Sequence, residues 1–399
     1  MPTWRRLTMA GVACVVSLGL ACSGCSAPTP GDQTTWTPLS SSRPGGEVPS
    51  PLSCPAQVFS YLTEAQRVGQ LFLVGIAEDA APESIATYHF GSLLFGTSSK
   101  AGVARIQQMT NTVQSLASAR ATDRVRFFIA ANQEGGEIQA LQGPGFSVIP
   151  PALAQGQLST LALQRQATEW GRELRRAGVN LNLAPVMDVV PPGTASQNQP
   201  IGALQREFGD KPATAAAHGA AFIRGMQEAG VATTAKHFPG LGRVLGNTDF
   251  TAGVVDDTTT PNDPYLRSFQ AAIDAGVPFV MVALATYTHI DPGHLAAFSP
   301  RVMRVMLRQQ MRCQGVIISD DLGVATAVAG ISPAARGIDF LAAGGDMITS
   351  QTLAAAAAMD RAILDRVAHD SAFRATVSSA VMRVLRAKQA YGLLPCAGH

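Results

Sequence analysis

The chain is 399 residues long, 46% hydrophobic and only 15% charged, with a formal net charge of +2. That length fits a targeting segment plus one large domain, or two ordinary ones, with enough apolar material for a sizeable core. Charges this few and this balanced supply no field for nucleic acid, which is not expected as a partner.

In chain order, residues 1–25 read as a secretory signal. Arg5 and Arg6 give the positive start, and the apolar stretch 9–20 is too short for a comfortable membrane span. It closes on Leu20-Ala21-Cys22-Ser23-Gly24-Cys25-Ser26, where small residues before a cysteine resemble a bacterial lipobox. Cys25 is the expected lipidation site, although Cys22 stands where Leu is usual; Cys22 itself, with Gly19 in that place, is the alternative. Residues 26–55, rich in Pro, Ser and Thr, read as a flexible tether, and one domain is expected over 56–399. The protein is thus expected to be exported and held at the outer face of the cell membrane by the lipid alone, as a monomer. Cys54, Cys313 and Cys396 remain, and an oxidising compartment would let one pair bridge, with three pairings open. Beyond the leader no CxxC or His-x-His spacing points to zinc, and neither metal nor cofactor is expected.

From residue 56 onward, eight short apolar runs alternate with helical patterns: 70–75, 91–95, 126–131, 179–184, 231–236, 277–283, 315–319 and 345–349. Continuous rather than alternating hydrophobicity is what strands covered on both faces require. Helical stretches lie between them at 159–177, 214–229, 265–275 and 301–312, and a helical tail follows at 353–391. The pattern predicts a single (β/α)8 TIM-type barrel. A doubly wound sheet would need a Gly-rich phosphate turn after the first strand, and Val74-Gly75-Ile76-Ala77-Glu78 has none.

Such barrels do their chemistry at the C-terminal ends of the strands. Just past the runs stand Asn132-Gln133-Glu134, Asp188, Lys236-His237 and Asp320-Asp321, with the loop 247–249 beside them. One such residue is usually a cap or a satisfied turn; five segments on one rim point to a site for a polar ligand. There is no Gly-x-Ser-x-Gly elbow for a serine hydrolase, and the seven His are scattered. What remains is carboxylate chemistry on a neutral polar substrate, chiefly glycoside hydrolysis, which needs one carboxylate at the anomeric carbon and one proton donor at the leaving oxygen.

Lys236-His237-Phe238-Pro239-Gly240-Leu241-Gly242 resembles the Lys-His-Phe-Pro-Gly-His-Gly segment of family 3 glycoside hydrolases, in their single-barrel β-N-acetylglucosaminidase branch. Further segments agree in order: NQEGG at 132–136, VNLNLAPVMD at 179–188, REFG at 206–209, VIISDDL at 316–322 and AGGDM at 343–347. The resemblance covers about residues 56–392, and the leader beside it suggests the exported actinobacterial members. It implies a retaining exo-hydrolase that releases terminal β-linked N-acetylglucosamine, in bacteria typically from peptidoglycan fragments, with a carbohydrate as the only partner besides the anchoring membrane. It makes Asp320 the nucleophile, which must be ionised to attack and would be favoured in that form by a nearby Lys236 or Arg206. Lys236, His237 and Arg206 carry over as donors to sugar hydroxyls, Asn132 stands at a hydroxyl ligand, and Asp188 belongs to the binding set or supports it. Glu134 is expected to cap a following helix or bond the Gly135-Gly136 turn, and Asp346, at the start of the last strand, to be structural.

The chain departs from the resembling branch where the acid/base should be. There a loop carries Asp-Ser-His; here the matching residues are Asn247-Thr248-Asp249, and the second His of the Lys-His motif is Leu241. Asp249 is the expected acid/base, because a carboxylic acid serves once its surroundings raise its pKa toward neutrality. Glu207 or Asp210 are substitutes from another loop. The alternative function is a catalytically weak sugar-binding lipoprotein on the same barrel.

Overall fold

The structure, a computed structural model, describes residues 52–75 and 81–396. The signal, the lipidation cysteine and nearly all of the tether lie outside the described residues. Eight parallel strands close into a barrel in chain order: β1 (Phe72–Gly75), β2 (Ser92–Leu94), β3 (Phe128–Ala131), β4 (Leu181–Asn182), β5 (Ala232–Phe238), β6 (Phe279–Val282), β7 (Val316–Asp321) and β8 (Met347–Ser350). Closure is made by β8 against β1, with Phe72 opposite Ile348 and Val74 opposite Ser350. Every predicted run holds a strand, which makes the fold a single (β/α)8 barrel. The runs are predominantly apolar because each strand has the barrel interior on one side and the helical ring on the other, and the exceptions, such as Asn180 and Asn182, are buried.

The ring helices start where their sequences provide caps. Ser159 accepts from the Ala162 N–H ahead of the helix Thr160–Arg176, and Ser332 caps Pro333–Ala343 in the same way. The stretch expected as an ordinary helix over 301–312 is a π-helix, Arg301–Gln310, and its Arg308 reaches the Cys313 and Gly315 carbonyls. Two additions were not foreseen. A hairpin, Gln133–Gly135 with Ile138–Gln139, follows β3, and a small sheet joins Val255–Asp256, Thr286–Tyr287 and Asp291–Leu295.

The N-terminal end of the barrel is sealed by polar groups with a structural task. Lys388 is fully buried and donates to Gln70 Oε1 (2.6 Å) and to the carbonyls of Gly91 (2.7 Å) and Arg126 (2.9 Å), just before β1, β2 and β3. Asp346, also fully buried, accepts from the Ile317 N–H at 2.8 Å, from Arg383 at 2.8 Å and from Arg308. It sits ahead of β8, away from the C-terminal ends of the strands. Cys54 bridges Cys396 across 342 residues of sequence, and Cys313 is a buried free thiol. The bridge belongs to a helix, Cys54–Tyr61, so the folded domain begins ahead of the expected boundary at 56.

Candidate active site

After β3 the chain turns back on itself as the short hairpin. Gly135 is required there: its φ is +114°, and a Cβ would stand 2.3 Å from the Pro150 carbonyl oxygen. Asn182 on β4 grips the turn from both sides, accepting from the Gln133 N–H and donating to the Gln133 carbonyl, each at 3.0 Å. No helix follows for Glu134 to cap. Its side chain instead receives Arg206 through two parallel bonds of 2.8 Å and the Lys236 ammonium at 2.6 Å. Burial alone would raise the Glu134 carboxyl, but Arg206 and Lys236 outweigh it and hold it at about 2. Burial likewise pulls Arg206 down, and Glu134 overcomes it, so the guanidinium keeps its charge. Lys236 also donates to Asn132 Oδ1 at 2.9 Å, which turns the Asn132 amide nitrogen away from the ammonium.

Lys236 and His237 end β5. His237 Nδ1 lies 2.8 Å from Asp188 Oδ2, while Asp188 Oδ1 accepts the backbone N–H groups of His237 (3.2 Å) and Leu241 (2.8 Å). An ionised carboxylate only accepts, so this geometry assigns the ring proton to Nδ1 and leaves Nε2 for the cavity. Asp188 has no exposed surface and stands behind His237, so it acts on a ligand only through the imidazole. The loop after β5 is pinned by two residues that sequence reasoning missed. Asn198 donates to the Leu241 (2.7 Å) and Val244 (2.6 Å) carbonyls, and the Tyr287 hydroxyl donates to the Gly240 carbonyl at 2.7 Å. Neither carries a motif signal, because each is an ordinary loop or strand residue whose partner is remote in sequence.

Asp320 lies near the end of β7, half-buried, with Oδ1 accepting the Asp321 N–H at 2.9 Å. Neither Lys236 nor Arg206 bonds it directly; both are engaged by Glu134 and interact with the Asp320 charge through space. Asp321 ties β7 to its neighbour by accepting the Gly323 (2.8 Å) and Gln351 (2.9 Å) N–H groups.

The loop 247–250 packs over this strand end. Asn247 Oδ1 accepts the Asp249 N–H at 3.0 Å, and the Thr326 and Ala327 N–H groups donate to the Asp249 and Thr248 carbonyls at 3.1 Å. Asp249 is exposed, yet the walls of the cleft crowd its carboxyl. Burial and the neighbouring Asp320 charge, opposed by His237 and Arg206, raise it to about 6. Solvent screening tempers that shift at an exposed position.

These groups converge on a cavity of about 250 Å³ at the C-terminal end of the barrel. Asn132, Arg206, Lys236, His237, Asp249 and Asp320 all line it; Asp188 does not. Glu207 is buried with one oxygen unpartnered and Asp210 is exposed, and neither lines the cavity. Among the described residues, no three His, Cys, Asp or Glu side chains converge so as to hold a metal ion.

Residues 63–387 match the family described as the glycosyl hydrolase family 3 N-terminal domain. The chain belongs to glycosyl hydrolase family 3. A beta-hexosaminidase of Stenotrophomonas maltophilia is 34% identical over 294 residues, 70% of this chain and 82% of that protein. A beta-hexosaminidase of Xylella fastidiosa is 37% identical over 211 residues, 51% of this chain and 60% of its own length. Among solved structures, the β-N-acetylhexosaminidase of Beutenbergia cavernae superposes with a TM-score of 0.81 at 45% identity, covering 82% of this chain and 99% of that one. A family 3 β-N-acetylglucosaminidase of Paenibacillus does so at 0.74 and 27% identity, covering 83% of this chain and 63% of its own. This family 3 chain is accordingly a glycoside hydrolase, with its polar rim where such barrels keep their active sites.

Proposed function

We propose that the protein is a retaining exo-β-N-acetylhexosaminidase that releases terminal N-acetylglucosamine from β-linked glycans, with Asp320 as nucleophile and Asp249 as acid/base. The observation that carries the reading is one cavity whose lining includes Asp320 and Asp249 in different surroundings, while the third carboxylate there, Asp321, is taken up by the Gly323 and Gln351 N–H groups. Asp320 stands on a strand with Oδ1 accepting the Asp321 N–H, while Asp249 sits on a loop where burial and the Asp320 charge raise its pKa to about 6. Two carboxylates with unlike environments divide the roles of nucleophile and acid.

In the first step, an Asp320 oxygen attacks the anomeric carbon as the glycosidic C–O bond breaks, and the Asp249 proton passes to the leaving oxygen. The product is a glycosyl ester on Asp320 and a free alcohol. In the second step, ionised Asp249 takes a proton from water, whose oxygen displaces Asp320 and restores both carboxyls. Lys236, Arg206 and His237 donate to the sugar hydroxyls, and their own partners, Glu134 and Asp188, hold them ready before substrate arrives.

The natural substrate in this reading is a peptidoglycan-derived fragment met outside the cell, where the protein is anchored through lipidated Cys25. The signal-like residues 1–25 and the tether composition support that location. A second reading, a catalytically weak sugar-binding lipoprotein, draws on the Asn247 side-chain oxygen Oδ1 being consumed by the Asp249 N–H, which leaves the Asp249 carboxyl without an orienting side chain from its own loop.

The test is to trap the ester. A slow fluorinated N-acetylglucosaminide with a good leaving group should add one sugar mass to the peptide that contains Asp320. Saturable sugar binding with neither turnover nor label would favour the binder.

A further inference from the structure

The residue after the proposed acid is unlike any other phenylalanine in the domain. Phe250 keeps 79% of its surface exposed, whereas every other phenylalanine among the described residues is buried or half-buried. Exposed apolar residues scattered singly are ordinary. Phe250 is distinguished by position, because it lines the mouth of the cavity between polar neighbours. It is also distinguished by support. Its N–H donates to the Asn247 carbonyl at 3.0 Å, and the adjoining backbone is held by Thr326 and Ala327, so the base of the ring is fixed without a ligand.

We propose that Phe250 is the floor of a binding subsite for the sugar on the leaving-group side of the scissile bond. This rests on the assignment of Asp249 as acid. An acid delivers its proton at the leaving oxygen, so the residue joined to it borders the group that departs. A pyranose presents a face of C–H groups, and an aromatic ring offers them a partly negative, apolar face already poised for contact. A fixed backbone lowers the ordering cost of that contact. The occupant is therefore a second β-linked pyranose, and the site reads a disaccharide rather than one sugar.

Calorimetry on the full chain carrying Asp320→Asn, which removes turnover, compares N-acetylglucosamine with N,N′-diacetylchitobiose. The disaccharide should bind more tightly than the monosaccharide. Phe250→Ala should weaken the disaccharide about tenfold and leave the monosaccharide within about twofold, and Phe250→Trp should restore the difference. An affinity ratio that Phe250→Ala leaves unchanged overturns the subsite, as does equal weakening of both ligands, which would mark a role in loop structure. Failure of the unsubstituted enzyme to hydrolyse the disaccharide would count against the hydrolase reading, while the affinity ratio would still decide the subsite.

Discussion

Lys236 and Glu134 are joined by a bond of 2.6 Å in which both side chains are nearly fully buried, and Arg206 closes on the same carboxylate. One anion thereby organises two cations at the wall of the cavity. Neutralising it strands both charges in a site that cannot solvate them. Glu134→Gln should lower stability by about 3–5 kcal/mol, read from the urea midpoint, and weaken sugar binding as the two donors lose their aim. An unchanged midpoint would mean that Arg206 and Lys236 find other partners.

Asp188 acts on the imidazole in front of it. Asp188→Asn keeps an acceptor for the Leu241 and His237 N–H groups but cannot hold the ring proton on Nδ1 as a carboxylate does. Activity should fall roughly 10–100-fold with the fold intact, and the downfield Nδ1 proton signal should be lost. Retention of both would leave Asp188 a purely structural anchor for the loop.

Glu207 gives a pH signature of its own. Burial first, and the Asp188 charge after it, raise this carboxyl from 4.5 to about 7. In the folded state it therefore holds its proton where the unfolded chain has released it. The stability it permits at low pH is lost as pH rises through that window, about 4.5 to 7. Glu207→Gln should thus stabilise the protein at pH 8 relative to its effect at pH 5, on the order of 2 kcal/mol. Thermal melts at both values check this, and an equal effect at both would show that Glu207 titrates normally.

The Cys54–Cys396 bridge fastens the first helix to the end of the chain. Cys54→Ser should cost about 2–4 kcal/mol in the melt and make it insensitive to reductant. Turnover at room temperature should survive, because neither cysteine lines the cavity.

The barrel was legible in the residues because strands covered on both sides are predominantly apolar, and all eight runs stood out on that ground even where Asn180, Asn182 or Thr233 interrupt them. The rim was legible for a related reason: charged residues such as Lys236 and Asp320 at the ends of apolar runs need a special cause. Glu134 was misread as a cap because its partners are remote; Arg206 lies 72 residues on, and no local pattern announces the pair. Asn198 and Tyr287 were invisible for the same reason. The disulfide stayed open because three cysteines allow three pairings until folding sets Cys54 beside Cys396.

The proposed chemistry depends on Asp249 as the acid, and the leaving-group dependence of turnover tests that most directly. Hydrolysis of a nitrophenyl β-N-acetylglucosaminide and of a GlcNAc–MurNAc disaccharide should be compared for the unsubstituted protein and Asp249→Asn across pH. Asp249 must be protonated to act, so disaccharide cleavage should decline as pH rises through about 6. Asp249→Asn should abolish that decline, lose about 10²–10⁴-fold on the disaccharide, and spare the step that expels nitrophenolate, which needs no proton. Full disaccharide activity in Asp249→Asn, with the same decline above pH 6, would place the acid on another residue.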